Sequence, residues 1–231
     1  AYCYTHNQIG FAAHELLDDE GLPRLQLAIG KILFEHRTEI DYSSLLFTIV
    51  DLWNEGEELV TGSKQTRILV DLNFEAGKKA LEIFAFGASA HYLHKAVERI
   101  PAHKRWDDEY EQSLEIYNAL IKAEYSNGAW DTLRKHAREV IAQKDRPIMD
   151  KVVAYTALIM VLVTQEHDHP GAIKLAIQVL KQLGVPFSSN TGKLAVVGAL
   201  VKTKRLLAKI PLESLLTQTD MLDKVKHTAL D

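Results

Sequence analysis

Apolar residues recur at spacings of three and four along nearly the whole chain, which is the pattern of amphipathic helices. Alternating runs rich in Val, Ile and Thr, which would indicate strands, are missing from the sequence. The sequence therefore predicts an all-α fold. Glycines, prolines and capping residues divide the pattern into about ten helices. The predicted helices span residues 6–17, 23–36, 43–54, 63–81, 86–100, 107–126, 130–143, 148–166, 171–183 and 193–210.

Capping residues set several of these boundaries. Ser43, Ser63 and Asp107 are predicted N-caps, because their side-chain oxygens can accept hydrogen bonds from the first-turn amides. Gly56 is predicted to end the third helix, and Pro101 to end the fifth. The resulting segments are helix pairs joined by short loops.

Two of these helix pairs share an internal similarity. Tyr117 and Tyr155 occupy similar places in their first helices, and Ala137 and Ala176 occupy similar places in the second. The offsets of 38 and 39 residues lie within the range of helical repeat proteins. Small residues at such positions allow two helices to approach closely. We therefore expect antiparallel helix hairpins stacked as a tetratricopeptide-like (TPR-like) solenoid, with these four residues as structural repeat positions.

Composition restricts the environment and the partners. A hydrophobic fraction of 47% in 231 residues is sufficient for a substantial core. The formal net charge of -4 offers no excess of positive charge for a nucleic-acid backbone, so nucleic acid is not an expected partner. The single cysteine, Cys3, cannot form an internal disulfide, which favours the reducing cytoplasm. The longest nearly apolar run, residues 152–163, is well short of the about 20 residues of a membrane span. We expect no transmembrane segment and no membrane contact.

The common catalytic motifs are absent from the sequence. It contains no GxxxxGK[ST] phosphate loop, no GxGxxG, no HExxH and no GxSxG. No catalytic, cofactor-binding or metal-ligating residue is therefore predicted, and the segment is not expected to be an enzyme.

One histidine pair leaves an alternative open. His91 and His94 share a helical face with Glu98, and together they could supply three ligands to zinc. A solvated helical face is the simpler interpretation, since a chain with ten histidines produces such pairs by chance. The alternative function is a helical metal-binding or enzymatic domain that uses these three residues.

A local basic patch follows the second helix pair. Lys202, Lys204, Arg205 and Lys209 alternate with leucines on an amphipathic helix. They are predicted as a possible interaction patch for an acidic partner or an anionic membrane, with an ordinary capping helix as the alternative.

The three tryptophans all fall near the ends of predicted helices. Trp53, Trp106 and Trp130 are expected to wedge between adjacent hairpins rather than to stack on a ligand.

A series of short motifs resembles the helical region that follows the ATPase core of AAA/STAND-type signalling proteins. In that family the ATPase ends in a winged-helix-like segment of the form FxHDRxQQAAY. The similar residues here are Thr5-His6-Asn7-Gln8-Ile9 with Ala12-Ala13, where Asn7 replaces the usual Asp. The resemblance continues through Leu27–Leu33, Leu46–Asp51 with Asn54 and Gly56, Leu72–Ala80, Trp106, Tyr110, Tyr117, Ala123-Glu124-Tyr125 and Leu180–Val185. It covers roughly residues 2–187, and it depends on the order and spacing of the motifs.

This resemblance implies a regulatory helical arm of a large multidomain protein that carries kinase-like, histidine kinase or cyclase domains. Such an arm would contact protein partners or other domains of the same chain, or hold the ATPase at rest. ATP would bind a neighbouring domain, because this segment lacks the phosphate loop. Residues 1–60 would correspond to the end of the ATPase-linked region, residues 61–210 to the repeats and residues 211–231 to a tail.

Overall fold

The computed structural model describes residues 21–185, 193–208 and 223–230. The described part contains eleven α-helices and one short 3-10 helix and no strand, so the predicted all-α class is confirmed. The helices are α1 (Gly21–Glu35), α2 (Tyr42–Glu55), α3 (Ser63–Glu82), α4 (Phe86–Arg99), α5 (Ala102–Arg105), α6 (Tyr110–Asn127), α7 (Trp130–Ile141), α8 (Ile148–Thr164), α9 (His169–Gln182), α10 (Lys193–Leu207) and α11 (Lys224–Leu230), with the 3-10 helix at Glu57–Leu59. The helix predicted at residues 6–17 lies outside the described residues.

The chain divides into two compact units, Ala1–Ala129 and Trp130–Asp231. In the first unit α1 packs on α2, α3 on α4, and α4 on α6, while α2 also contacts α3. One core joins α1, α2, α3 and α4 across the boundary predicted after residue 60. Its buried members are Leu27, Leu46, Ile49, Val50, Trp53, Val60, Leu69, Leu72, Ala76 and Tyr92.

A buried amide pair connects α2 to α3 inside this core. The Asn54 Nδ2 donates to the Asn73 Oδ1 at 3.0 Å, and the Asn73 Nδ2 donates back to the Asn54 Oδ1 at 2.9 Å. Asn73 also donates to the carbonyl of Leu69 at 3.0 Å. Because buried polar groups are costly when they lack partners, this pairing fixes the register of the two helices.

A glycine allows α3 and α4 to approach closely. A Cβ at Gly77 would lie 2.5 Å from the Cγ of Leu93, so any side chain there would collide with α4. The Ser89 hydroxyl donates to the Gly77 carbonyl at 2.7 Å and fastens the two helices at the same level. Leu93 fills the space that the glycine leaves and is fully buried.

Arg105 closes the C-terminal end of α4. Its guanidinium donates to the carbonyls of Val97 at 2.9 Å and Ile100 at 3.2 Å, and to the Tyr117 hydroxyl at 3.0 Å. A cation at this end complements the helix dipole. The Trp106 ring packs against Tyr117 at a centroid distance of 4.9 Å, so this tryptophan lies between α5 and α6.

Some predicted caps are wrong. The N-cap of α2 is Asp41, whose carboxylate accepts from the Ser44 amide at 3.3 Å and the Ser44 hydroxyl at 2.7 Å. A carboxylate two residues earlier therefore takes the role assigned to Ser43. At α3 the N-cap is Gly62, and Ser63 is already the first helical residue.

The sixth helix begins later than predicted. Asp107 does not cap it, because the chain after Pro101 first forms α5 and then a turn. In that turn the Lys104 carbonyl accepts from the amides of both Asp107 and Glu109, and α6 starts at Tyr110.

The described part of the second unit contains α7 to α11, and α8 packs on both α7 and α9. Asp168 caps α9, and its carboxylate accepts from the Gly171 amide at 2.9 Å, so α9 starts at His169 rather than at the predicted Gly171. Among the described ranges of the whole chain, no helix is both long and apolar enough to span a membrane.

Candidate functional site

A cavity of about 490 Å³ opens in the first unit where α1, α2 and α3 meet. We call it the cationic cavity. Its lining residues are Lys31, Phe34, Glu35, Arg37, Trp53, Lys64, Gln65 and Ile68. Three of these residues are cations and one is a carboxylate, so the lining carries a positive balance within a chain whose net charge is -4.

The apolar wall of the cationic cavity is built around Trp53. Trp53 belongs to the core and is only 2% exposed. A Cβ at Gly30 would lie 2.9 Å from the Trp53 Cδ1, so the indole can rest on α1 because that position is a glycine. The Phe34 ring meets the indole edge-on at a centroid distance of 6.1 Å. Ile68 of α3 completes the wall.

Lys31 lies between the aromatic and the polar side of the cationic cavity. Its Nζ donates to the Gln65 Oε1 at 3.1 Å and lies 5.7 Å from the centroid of the Trp53 ring. Both contacts hold the ammonium at the cavity without neutralising its charge.

Arg37 and Lys64 bring two further positive charges. Arg37 donates to the Phe34 carbonyl at 3.0 Å and stacks on the Phe34 ring at 4.4 Å. Lys64 lies in the first turn of α3, where the helix dipole also favours an anion. Within the part of the chain that the structure describes, no ion pair is formed by Lys31, Arg37 or Lys64.

One buried donor in the wall is unsatisfied. The Trp53 Nε1 is buried and has no hydrogen-bond partner among the described residues. A buried N–H without an acceptor costs about 1–3 kcal/mol, so such a group needs a specific explanation. The cationic cavity thus has three cations that form no ion pair among the described residues. They lie beside an apolar wall that contains this buried N–H.

In a second cleft, on the other side of α3, most of the cations already have carboxylate partners. It is smaller, about 200 Å³, and its lining includes Arg67, Arg99 and Lys104. Arg67 forms ion pairs with Glu109 and with Asp71, and Arg99 pairs with Glu57 at 3.0 Å. Because two of its three cations already have carboxylate partners, this cleft is the weaker candidate for binding an anion.

The histidine pair considered for zinc does not form a site with Glu98. His91, His94 and Glu98 do not constitute a three-ligand cluster within the described ranges. The His94 Nε2 instead lies 3.2 Å from the Oε1 of Glu124, a fully buried carboxylate of α6. His91 is exposed, and its ring packs against Tyr92 at 5.6 Å. The alternative metal-binding or enzymatic function stays a prediction, although His91, His94 and Glu98 are not grouped as one cluster among the described residues.

The four repeat positions lie in helices, and none of them lines the cationic cavity. Tyr117 and Ala137 are fully buried, in α6 and α7 respectively. Tyr155 of α8 and Ala176 of α9 are half-buried.

The predicted interaction patch lies partly within the described residues. Lys202, Lys204 and Arg205 are exposed on α10, while Lys209 lies outside the described residues. The described side chains from Val197 to Ala208 are all exposed, so the patch is open to solvent.

The cationic cavity itself was not predicted from the sequence. The sequence predicts Trp53 as a wedge between hairpins, and it predicts no binding role for Lys31, Arg37 or Lys64. Comparisons with family models, with the curated proteins and with the solved structures find no match to this chain. A functional proposal therefore depends on the geometry and charge of the cavity and on the sequence motifs.

Proposed function

We propose that this chain is a non-catalytic helical-repeat segment that regulates or scaffolds a multidomain signalling ATPase of the AAA/STAND type. It acts in the cytoplasm through contacts with protein partners or with other domains of its own polypeptide. ATP binds a neighbouring domain, and this segment transmits or restrains its state. The ordered motifs from Leu27 to Val185 support this assignment, together with the packing of consecutive helices into pairs.

The observation that carries a binding role is the cationic cavity. Its three cations have no carboxylate partners among the described residues, and an apolar wall lies beside them. Charged groups held next to low-dielectric walls attract opposite charge more strongly than groups in open solvent. We therefore assign the cavity as the docking place for an acidic segment of a partner or of another domain.

Docking of this kind suits a regulatory contact. Charge complementarity mainly sets specificity and the association rate, while apolar contacts at the centre of an interface supply much of the affinity. The cationic cavity offers both, with Arg37 and Lys64 exposed at its edge and Trp53 buried in its wall.

The first experiment is to read the coding sequence on both sides of the segment. An upstream phosphate loop followed by an acidic strand end is expected. An open reading frame that contains only this segment would contradict the assignment to a signalling ATPase.

The contact itself is tested by photo-crosslinking in the full polypeptide. A photoreactive residue at position 64 is expected to attach to an acidic segment, which mass spectrometry identifies. The matched control is position 122, where Lys122 is an exposed lysine of α6 outside the cavity. Equal crosslinking from both positions to the same segments would contradict a docking role for the cavity.

A further inference from the structure

We infer that the group recognised at the cationic cavity is a carboxylate joined to an aromatic or branched apolar group. This inference rests on the proposed function, since it names the chemistry that the same site accepts. The occupant is a protein segment in which an acidic side chain stands next to an apolar one, and a free organic acid is the alternative that the test distinguishes.

The carboxylate is recognised by donors of two kinds, one guanidinium and two ammonium groups. Arg37 provides a planar guanidinium that can donate two parallel hydrogen bonds to a carboxylate. Lys31 and Lys64 provide ammonium groups from two different helices that line the same cavity. The Trp53 Nε1–H is too deeply buried to reach the carboxylate, but its NMR signal reports changes at the wall that the indole belongs to.

The apolar part of the ligand is recognised by Phe34, Trp53 and Ile68. These side chains form one continuous wall, because Phe34 and Trp53 touch edge-to-face and Ile68 lines the same cavity. The volume of about 490 Å³ lies within the range of about 300–1,000 Å³ typical of ligand sites. A carboxylate alone would leave this wall uncovered, so the ligand carries an apolar group.

The charge pattern favours a monoanion over a phosphate. Glu35 places a carboxylate in the lining, and this charge repels a dianion more strongly than a monoanion. Phosphate sites are typically built from convergent backbone N–H groups, whereas the donors here are side chains of α1, of the turn after it and of α3.

The test uses the full chain labelled with ¹⁵N and follows the indole N–H signals of its three tryptophans. Trp53→Phe assigns the Trp53 signal, and Trp106 and Trp130 serve as internal references. The free-acid probe is 4-phenylbutanoate, with its uncharged amide as the matched control. The peptide probe is acetyl-Leu-Glu-Leu-amide, with the Gln peptide as its control.

The expected result is a saturable shift of the Trp53 signal with a charged probe and none with its uncharged control. A response to the peptide supports a protein segment as the occupant, whereas a response to phenylbutanoate alone overturns that assignment in favour of a free acid. Lys64→Gln should weaken binding roughly tenfold, because it removes a charge-assisted hydrogen bond. Lys122→Gln, a change on exposed α6 surface, should leave the affinity unchanged.

The inference is overturned if neither charged probe moves the Trp53 signal at millimolar concentration, or if the uncharged controls bind equally. Weaker binding in Lys64→Gln cannot be blamed on misfolding, because Lys64 is exposed and its replacement leaves the core intact. If crosslinking from position 64 still finds a partner while both probes fail, the docking role stands and only the carboxylate chemistry is wrong.

Discussion

The buried amide pair between Asn54 and Asn73 shows how a single polar contact constrains this core. Each side chain donates to the other, and Asn73 is fully buried. An amide in this position satisfies its partner only when the two helices keep one register. Leucine at either place would pack but would not specify that register.

Asn73→Ala should lower the free energy of unfolding by about 1–3 kcal/mol, because it leaves the Asn54 amide without its partner. Asn54→Ala should have a similar effect. The double variant should cost clearly less than both single changes together, because no unpaired amide then remains. Urea unfolding measures all three, with the exposed Asn127→Ala as control. Additive effects would mean that the two amides do not act as a pair.

Glu57 provides a second residue-level constraint, because it ties the 3-10 helix to α4. Its carboxylate lies 3.1 Å from the Lys95 Nζ and 3.0 Å from an Arg99 nitrogen. Burial raises the pKa of Glu57, but the hydrogen bonds from Lys95 and Arg99 outweigh it and hold the pKa below its usual value. The folded state therefore prefers the ionised form.

The sign of this pKa shift sets the pH dependence of Glu57→Gln. A carboxyl whose pKa is lowered by folding stabilises the protein above its unfolded pKa, and that contribution is lost as the pH falls through the folded pKa. The variant should be less stable by about 1 kcal/mol at neutral pH. The difference should be complete above the pKa of an unfolded glutamate, about 4.3, and should shrink as the pH falls through the lower folded pKa of Glu57. Urea midpoints across the pH range measure this.

Glu58→Gln is the control for this experiment. Glu58 is the exposed neighbour of Glu57, and it forms no ion pair within the described ranges. A pH-independent loss in Glu57→Gln, or an equal loss in Glu58→Gln, would contradict the ion-pair explanation.

The packing of helix on helix depends on where small residues allow close approach. Gly77 of α3 faces Leu93 of α4 with no room for a methyl group. Gly30 plays the same part between α1 and Trp53. In both places the missing side chain on one helix gives space to a large side chain on the next.

Gly77→Ala should destabilise the protein by about 1–3 kcal/mol, although alanine is the better helix former by about 1 kcal/mol. The clash with Leu93 outweighs that gain. Leu93→Ala should cost less in the Gly77→Ala background than in the wild type, because the new methyl group occupies part of the vacated space. Thermal and urea unfolding test both effects.

Gly198→Ala is the matched control, since a Cβ there would meet nothing within 4 Å. It should be neutral or slightly stabilising through helix propensity alone. A stabilised Gly77→Ala protein would contradict the close approach of α3 and α4.

The sequence predicted the helices well because apolar periodicity is a local property. Their ends were less predictable, because capping depends on which side chain reaches the first-turn amides. Asp41 rather than Ser43 caps α2, and the short helix α5 displaced the expected start at Asp107. These outcomes depend on backbone geometry over a few residues that a periodic pattern does not encode.

The cationic cavity could not be predicted for a different reason. Lys31, Trp53 and Lys64 come from three helices and meet only after α1, α2 and α3 have packed. The zinc hypothesis assumed that residues on one helical face act together, whereas His94 pairs with Glu124 of another helix. Sequence reasoning finds sites within one element more readily than sites shared by several.

At the level of the whole molecule, burial is unevenly divided between the two compact units. The largest fully buried side chains among the described residues belong to the first unit, except for Leu133. Both units expose large apolar side chains, such as Ile83 and Phe84 in the first and Ile173 and Leu200 in the second, so the difference lies in the buried ones. Buried apolar area is the main favourable term in folding, so the first unit has the stronger basis for independent stability.

A fragment of residues 1–129 should therefore fold alone and unfold in a single cooperative transition. Its helical circular dichroism and its urea midpoint should resemble those of the full chain, because the core that joins α1, α2, α3 and α4 is complete within it. A fragment of residues 130–231 should unfold at lower urea and bind more of a hydrophobic dye, because few of its described side chains are fully buried. The reverse order of stabilities would mean that burial in the separate units does not govern the stability of this protein. The cationic cavity lies wholly in the first fragment, so the probe that binds the full chain should bind that fragment with the same affinity.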